Sequence, residues 1–204
     1  MLKPPMLTYA NQRGAGLVEL MIALVLGMMV VGSALGLYAN TFGSNGSYLQ
    51  VARLNNDLRA VMTIIAKDLR RAGYSSTAAA GTANPFEAIT ITGGTQITFS
   101  YDYDSNGSVS ANESFGYRLN NGAIQVTVNG GTNWENISDP DKITITEFEI
   151  TDSSPAAVSM GTTTVVNVQT RRYTILIKGT ITYNGTTFTR VLQEDVRIRN
   201  EIVT

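Results

Sequence analysis

Arg13-Gly14-Ala15-Gly16-Leu17-Val18-Glu19-Leu20-Met21-Ile22-Ala23-Leu24 opens a stretch that stays apolar as far as Ala39. Leu20 to Ala39 carries no charge, and about 20 apolar residues are what a helix needs to cross the hydrocarbon core of a bilayer. Glu19 sits at the entry of this segment. A carboxylate in or near hydrocarbon costs a few kcal/mol even on the lenient insertion scale, so something should require it. A secretory signal peptide or a plain anchor is the simpler reading. A signal peptide, however, has a shorter apolar region followed by a small-x-small cleavage site, and the polar flank Asn40 to Tyr48 contains no convincing one. The other reading puts processing before the apolar run, at Gly14. Residues 1–14 then form a short basic leader with Lys3 and Arg13, and Glu19 becomes the fifth residue of the mature chain.

Gly14-Ala15-Gly16-Leu17-Val18-Glu19-Leu20 resembles the class III signal of type IV pilins and of type II secretion pseudopilins. The glycine before the cut and the glutamate at mature position five both match. Ala15 stands where that family usually has Phe or Met. The resemblance implies cleavage between Gly14 and Ala15 by a prepilin peptidase, N-methylation of Ala15, and a pairing of Glu19 with the N-terminal amine of a neighbouring subunit.

Beyond Ala39, Asn40 to Ser47 is polar and weakly helical, as in a bend at a membrane surface. From Tyr48 a second helical pattern begins. Val51, Leu54, Leu58, Val61, Ile65 and Leu69 recur every three or four residues and form one apolar face suited to covering a sheet. Gly73 supplies a C-terminal stop. The segment Ile64 to Tyr74 resembles the end of the long helix in minor pilins of the PilW type and, less closely, in J-type minor pseudopilins.

Ser75 to Pro85 is a small-residue loop, and alternating runs follow it. Ile89–Thr92, Gln96–Tyr103, Phe115–Leu119, Ile124–Val128, Ile143–Ile150, Tyr173–Tyr183 and Thr186–Ile198 read as strands. Asn120-Asn121-Gly122 and Asn184-Gly185 mark hairpins. One long helix followed only by strands predicts an α+β fold, an antiparallel sheet packed on the second half of the helix. The expected divisions are a leader 1–14, a membrane and assembly helix 15–39, an amphipathic continuation 40–74 and a β-rich exported domain 75–204. The resemblance implies the same pilin-like arrangement.

Composition narrows the chemistry. The chain has 204 residues, with neither cysteine nor histidine. Disulfides, Cys/His zinc sites and Ser-His or Cys-His catalysis are excluded. Removing residues 1–14 takes away two basic residues and no acid, leaving 13 basic against 16 acidic side chains. That balance offers no general grip on nucleic acid. The scattered acids form no recognisable hydrolase pair, and the chain is not read as an enzyme.

A second motif lies in the β-rich part. Asp102-Tyr103-Asp104-Ser105-Asn106-Gly107-Ser108-Val109-Ser110-Ala111-Asn112-Glu113 follows the twelve-residue calcium loop. Asp102, Asp104 and Asn106 place oxygens at positions 1, 3 and 5. Gly107 permits the sharp turn at 6, Ser108 offers its main-chain carbonyl, Val109 fills the apolar position 8, and Ser110 stands at 9, a position often served through water. Glu113 closes the loop with the carboxylate that calcium takes in bidentate fashion. Strand-like flanks predict a calcium loop between strands rather than a helix-loop-helix sensor. The competing reading is a polar Asp/Asn/Gly turn that mimics the pattern. Bound calcium would stabilise a domain that has no disulfide.

Two further features have plainer readings. Trp134 is expected as a partly buried loop anchor. Arg171-Arg172 is expected as a solvated pair at a strand start.

By resemblance, the chain is a minor pilin that primes pilus assembly in a tip-proximal complex. Its implied partners are other minor pilins, the major pilin, the prepilin peptidase and the inner-membrane assembly platform. The N-terminus would be cytoplasmic and the C-terminal domain periplasmic, before passage into a filament. A minor pseudopilin of a secretion system shares the fold and the membrane chemistry. A calcium-dependent adhesive or ligand-binding domain on a permanent anchor is the rival from another class.

Overall fold

The apolar segment and the amphipathic segment are both helical. In the computed structural model, which describes residues 16–77, 83–160, 166–200 and 202–203, α1 runs from Leu17 to Leu69. Asn40 to Ser47, expected as a bend, lies inside this helix. Short hydroxyls tolerate the helix there by folding back on it. Thr41 Oγ1 donates to the Leu37 carbonyl at 2.9 Å, as Ser33 Oγ does to Met29 at 2.7 Å. The chain divides into two compact units, Met1–Ser47 and Tyr48–Thr204.

In the first unit, Leu17–Ala39 is 23 residues long with a mean hydropathy of 2.4, and none of it is buried within the chain. An apolar stretch exposed all round is stable only in lipid or against other helices. Gly27, Gly32 and Gly36 meet no other part of the chain.

In the second unit the strands follow in order. They are β1 (Ile89–Thr92), β2 (Gln96–Ser100), β3 (Ser114–Asn120), β4 (Ala123–Thr127), β5 (Glu135–Asn136), β6 (Thr144–Asp152), β7 (Val158–Met160), β8 (Val166–Gln169), β9 (Arg172–Tyr183), β10 (Thr186–Arg197) and β11 (Ile202–Val203). Among the described residues all pairings are antiparallel and form three sheets, β1-β2-β3-β4-β5, β10-β9-β6 and β11-β8-β7. The expected α+β class and pilin-like layout are therefore present, with the sheet divided. The short strands β5, β7, β8 and β11 carry too few alternating residues to be read from sequence. Both expected hairpins form. Asn121-Gly122 and Asn184-Gly185 have positive φ at both residues, the type I′ geometry whose twist matches that of the flanking strands.

The helix face packs on these sheets. Leu54, Leu58, Val61, Ile65 and Leu69 are buried, joined by Met62, Ala66 and Ala72, while Val51 is only half-buried. They share one core with Ile97, Phe99 and Tyr117 of the larger sheet and with Phe148, Ile175 and Ile177 of the second. Gly179 on β9 lets the helix come close. A Cβ there would stand 3.0 Å from Leu58 Cδ2 and 3.3 Å from Leu54 Cδ1. Tyr117 is fully buried and donates its hydroxyl to Asp68 Oδ2 at 2.6 Å, tying β3 to α1. Burial and the neighbouring Asp68 carboxylate push this phenol far above its ordinary range.

The helix then unwinds. The Arg71 and Ala72 amides bond three residues back, to Asp68 and Leu69, and the Gly73 amide leaves the helix for the Ser100 carbonyl at 2.9 Å. That bond delivers the segment Tyr74–Thr77 to the end of β2, where the acidic loop begins.

Candidate metal centre

The loop 101–113 lies between two paired strands, as expected. Ser100 of β2 faces Ser114 of β3 in the ladder, so the loop's ends are pinned together. Pairing stops at Ser100, three residues earlier than the alternation predicts. From there the Tyr101 amide donates to the Glu113 carbonyl at 3.2 Å, and the Asp102 amide to the Tyr74 carbonyl at 2.8 Å.

Asp102, Asp104 and Glu113 each bring a carboxylate oxygen within 4.8 Å of the other two. Asp102 and Glu113 are buried and Asp104 is exposed. Three anions this close repel one another unless donors or a cation compensate them. Local donors supply part of that compensation. Asp102 Oδ2 accepts from the Ser76 amide at 2.9 Å, the Ser76 hydroxyl at 2.5 Å and the Gly107 amide at 3.1 Å. Its Oδ1 accepts from the Asn106 amide at 3.0 Å. Glu113 Oε1 accepts from the amides of Tyr103 at 2.8 Å and Asp104 at 3.4 Å. Its Oε2 accepts from the Ser110 amide at 2.9 Å and the Ser110 hydroxyl at 2.7 Å.

Both buried carboxyls are held below the ordinary carboxylate range. For Asp102, burial pushes upward, and the bonds from Ser76 and from the Gly107 and Ser105 amides outweigh it. For Glu113 the Ser110 hydroxyl is the main cause, opposed by burial and reinforced by the amides of Ser110, Tyr103 and Asp104. The pair stays ionised, which is the state a hard cation needs.

The remaining motif residues shape the loop. Asn106 Oδ1 accepts from the Ser108 amide at 2.7 Å, and Asn106 Nδ2 donates to Asp104 Oδ2 at 2.7 Å. Ser108 is exposed. Gly107 has φ +73°, and a Cβ there would meet Thr77 Oγ1 at 2.5 Å, so only glycine fits. Ser110 starts the short 3-10 turn Ala111–Glu113. Its hydroxyl is engaged with Glu113 rather than left open. Val109 is 46% exposed and packs into no core, because the flanks are strands and no helix pair stands over position 8. Three carboxylates that converge, two of them buried and ionised, can hold a metal ion. Ser76 is the partner that the motif does not reveal. It lies 26 residues before Asp102 and reaches the loop only through the tertiary fold.

Elsewhere, Glu19 lies in the exposed first turn of α1. Gly14 and Ala15, the expected processing site, lie outside the described residues. Trp134 is half-buried. Its Nε1 donates to the Gly131 carbonyl at 3.0 Å, and Arg118 lies 4.2 Å from the ring centroid, which suits an anchor of the 129–134 loop. Arg171 corrects the expectation of a solvated pair. Arg172 is exposed, but Arg171 is 6% exposed and donates to the main-chain carbonyls of Glu87 at 2.5 Å and Asn200 at 3.1 Å. Arg171 stands one residue before the strand and continues its alternation, on the same buried side as Tyr173, Ile175 and Ile177. Burial lowers its pKa, and Nε has no partner.

Comparison with known families gives two matches. Residues 47–198 match the family described as prepilin peptidase-dependent protein B. Residues 9–35 match the prokaryotic N-terminal methylation motif. No curated protein and no solved structure matches the chain. The first match covers most of the sequence, and the chain belongs to the prepilin peptidase-dependent protein B family. It is a type IV pilin-like, structural and non-enzymatic protein, a prepilin peptidase substrate through its methylation motif. An apolar helix that overlaps such a motif and runs on beyond it suggests residence in the inner membrane before assembly.

Proposed function

We propose, taking that family membership as the premise, that the protein is a minor type IV pilin of the PilW type that helps to initiate pilus assembly. One observation carries the reading: the methylation motif overlaps the exposed apolar helix Leu17–Ala39, and the family match follows on the domain behind it. Cleavage between Gly14 and Ala15 frees an amine, which is then methylated. Lys3 and Arg13 keep the leader cytoplasmic, and the domain from Tyr48 onward stands in the periplasm. Subunits then leave the bilayer helix against helix, other minor pilins and the major pilin being the partners and the inner-membrane platform the machine. Glu19 pairs with the freed amine of a neighbour. Each charge offsets the cost of the other in an apolar bundle, whereas either alone would be stranded. Mass spectrometry of the protein from native membranes and sheared filaments tests this. A mature chain beginning at methylated Ala15 is expected in both fractions. A chain that still begins at Met1 in its native cell overturns the reading.

Calcium is the ion that suits the loop best. Its donors are all oxygen, with carboxylates at the first, third and twelfth positions and a glycine at the sixth. Asp102, Asp104, Asn106 and Glu113 would hold it with side-chain oxygens, Ser108 with its carbonyl and Ser110 through water. An ion bound only by the folded state raises stability once its concentration exceeds the dissociation constant. The full chain in detergent micelles is expected to melt at a higher temperature in calcium than in chelator. Equal melting temperatures together with no calorimetric heat would remove calcium from the account.

A further inference from the structure

Next to the acidic loop lies a notch of about 300 Å³, lined among others by Arg70, Arg71, Arg199, Tyr74, Tyr103 and Asp102. Two of its arginines are neighbours at the end of the helical segment, and the third, Arg199, is brought to them from the far end of the chain by one junction. The Arg199 amide donates to the Arg70 carbonyl at 3.2 Å, and Asn200 Nδ2 donates to the Ala72 carbonyl at 3.0 Å. The segment after β10 thus seats on the turn that follows α1.

The charges of this notch are unevenly compensated. Arg70 is paired with Glu194 at 3.0 Å. Arg71 lies 4.3 Å from the centroid of the Tyr101 ring, a contact that brings no counter-charge. Among the described residues, neither Arg71 nor Arg199 has a carboxylate within ion-pair distance. Arg199 is exposed. Among the described residues, the one acid lining the notch is Asp102, and it is also a member of the converging carboxylate cluster.

We propose that this notch binds an oxyanion, carboxylate or phosphate, and that calcium in the neighbouring loop tightens the binding. The coupling rests on the calcium reading given above. A guanidinium presents a planar fork of donors that matches both oxyanions. Without the cation, the negative charge of Asp102 and its neighbours opposes an anion entering between Arg71 and Arg199. With the cation bound, that charge is offset and the arginines dominate the local field. Linkage makes the effect reciprocal, so a bound oxyanion strengthens calcium binding by the same factor.

The test uses the full chain in nonionic detergent micelles. Two labelled peptides serve as probes, hexaglutamate as the carboxylate source and a phosphoserine peptide of equal net charge as the phosphate source. Calorimetric calcium titration runs alongside. At least one peptide is expected to bind about tenfold more tightly in calcium than in chelator, within the usual span of such couplings. The peptide that binds identifies the source of the oxyanion. Binding is expected to vanish in the Arg71→Gln/Arg199→Gln double variant. It should vanish equally in Arg199→Glu, which changes one exposed side chain and leaves the core alone. Failure of both peptides to bind in calcium, or binding equal in wild type and both variants, overturns the notch. Arginine-dependent binding that ignores chelator, in protein shown to take up calcium, overturns the coupling. Absence of calcium heat together with equal melting temperatures in calcium and in chelator defeats the calcium reading and the coupling together, and dependence on the arginines then decides the notch alone.

Discussion

Glu113 accepts four hydrogen bonds from the loop it closes: from the amides of Tyr103, Asp104 and Ser110 and from the Ser110 hydroxyl. A carboxylate has no donor of its own and suits such a nest. An amide in its place turns one end against N–H groups that have nowhere else to go. Glu113→Gln is therefore expected to lower the melting temperature near neutral pH and to abolish any rise on adding calcium. The sign of the pH effect follows from the depressed pKa. A group held below its unfolded value of about 4.3 contributes stability above that pH and loses it as pH falls through the folded value. The gap between wild type and Glu113→Gln should thus narrow in acid, as read by thermal melts across pH. A constant gap would mean that the ionised state of Glu113 is not what the loop depends on. Asp102 follows the same logic, with Ser76 as its principal donor.

The second part of α1 earns its stability from one face. Ile64 and Ile65 are neighbours in sequence, yet Ile65 is fully buried while Ile64 is 44% exposed. Truncating a buried isoleucine loses its transfer energy and leaves a cavity, about 2–5 kcal/mol in all. An exposed site changes by roughly 0.5 kcal/mol or less. Chemical denaturation of Ile65→Ala and Ile64→Ala should show that asymmetry. Similar losses in both would place the helix face elsewhere. This face was legible because its period is that of the helix, and the positions it missed are instructive. Met62 and Ala66 are buried on the flank of the stripe, each next to one of its members, in the same core as residues of both larger sheets. Val51 is at the edge of the stripe and only half-covered. The first part of α1 follows the opposite rule. It is apolar all round and buries nothing within the chain, so its partners must be lipid or other helices.

For the molecule as a whole, one prediction concerns assembly. Glu19→Ala is expected to leave processing intact while lowering the recovery of other minor subunits that co-purify from membranes. Unchanged recovery would count against the pairing of Glu19 with a neighbour's amine. Much of this architecture could be read before any coordinates. The apolar run, the glycine and glutamate that frame its start, the helical stripe, the Asn-Gly hairpins and the Asp102–Glu113 motif all rest on local spacing, and local spacing is carried by the chain itself. The tertiary structure decided what depends on distant segments meeting. It divided the strands among three sheets, because pairing partners are chosen by packing and not by alternation. It gave the inward-facing Arg171 its partners, the carbonyls of Glu87 and Asn200, and it brought Ser76 to Asp102. It also gathered Arg70, Arg71 and Arg199 around one notch. No periodicity signals such encounters, because each joins residues that only the folded core holds side by side.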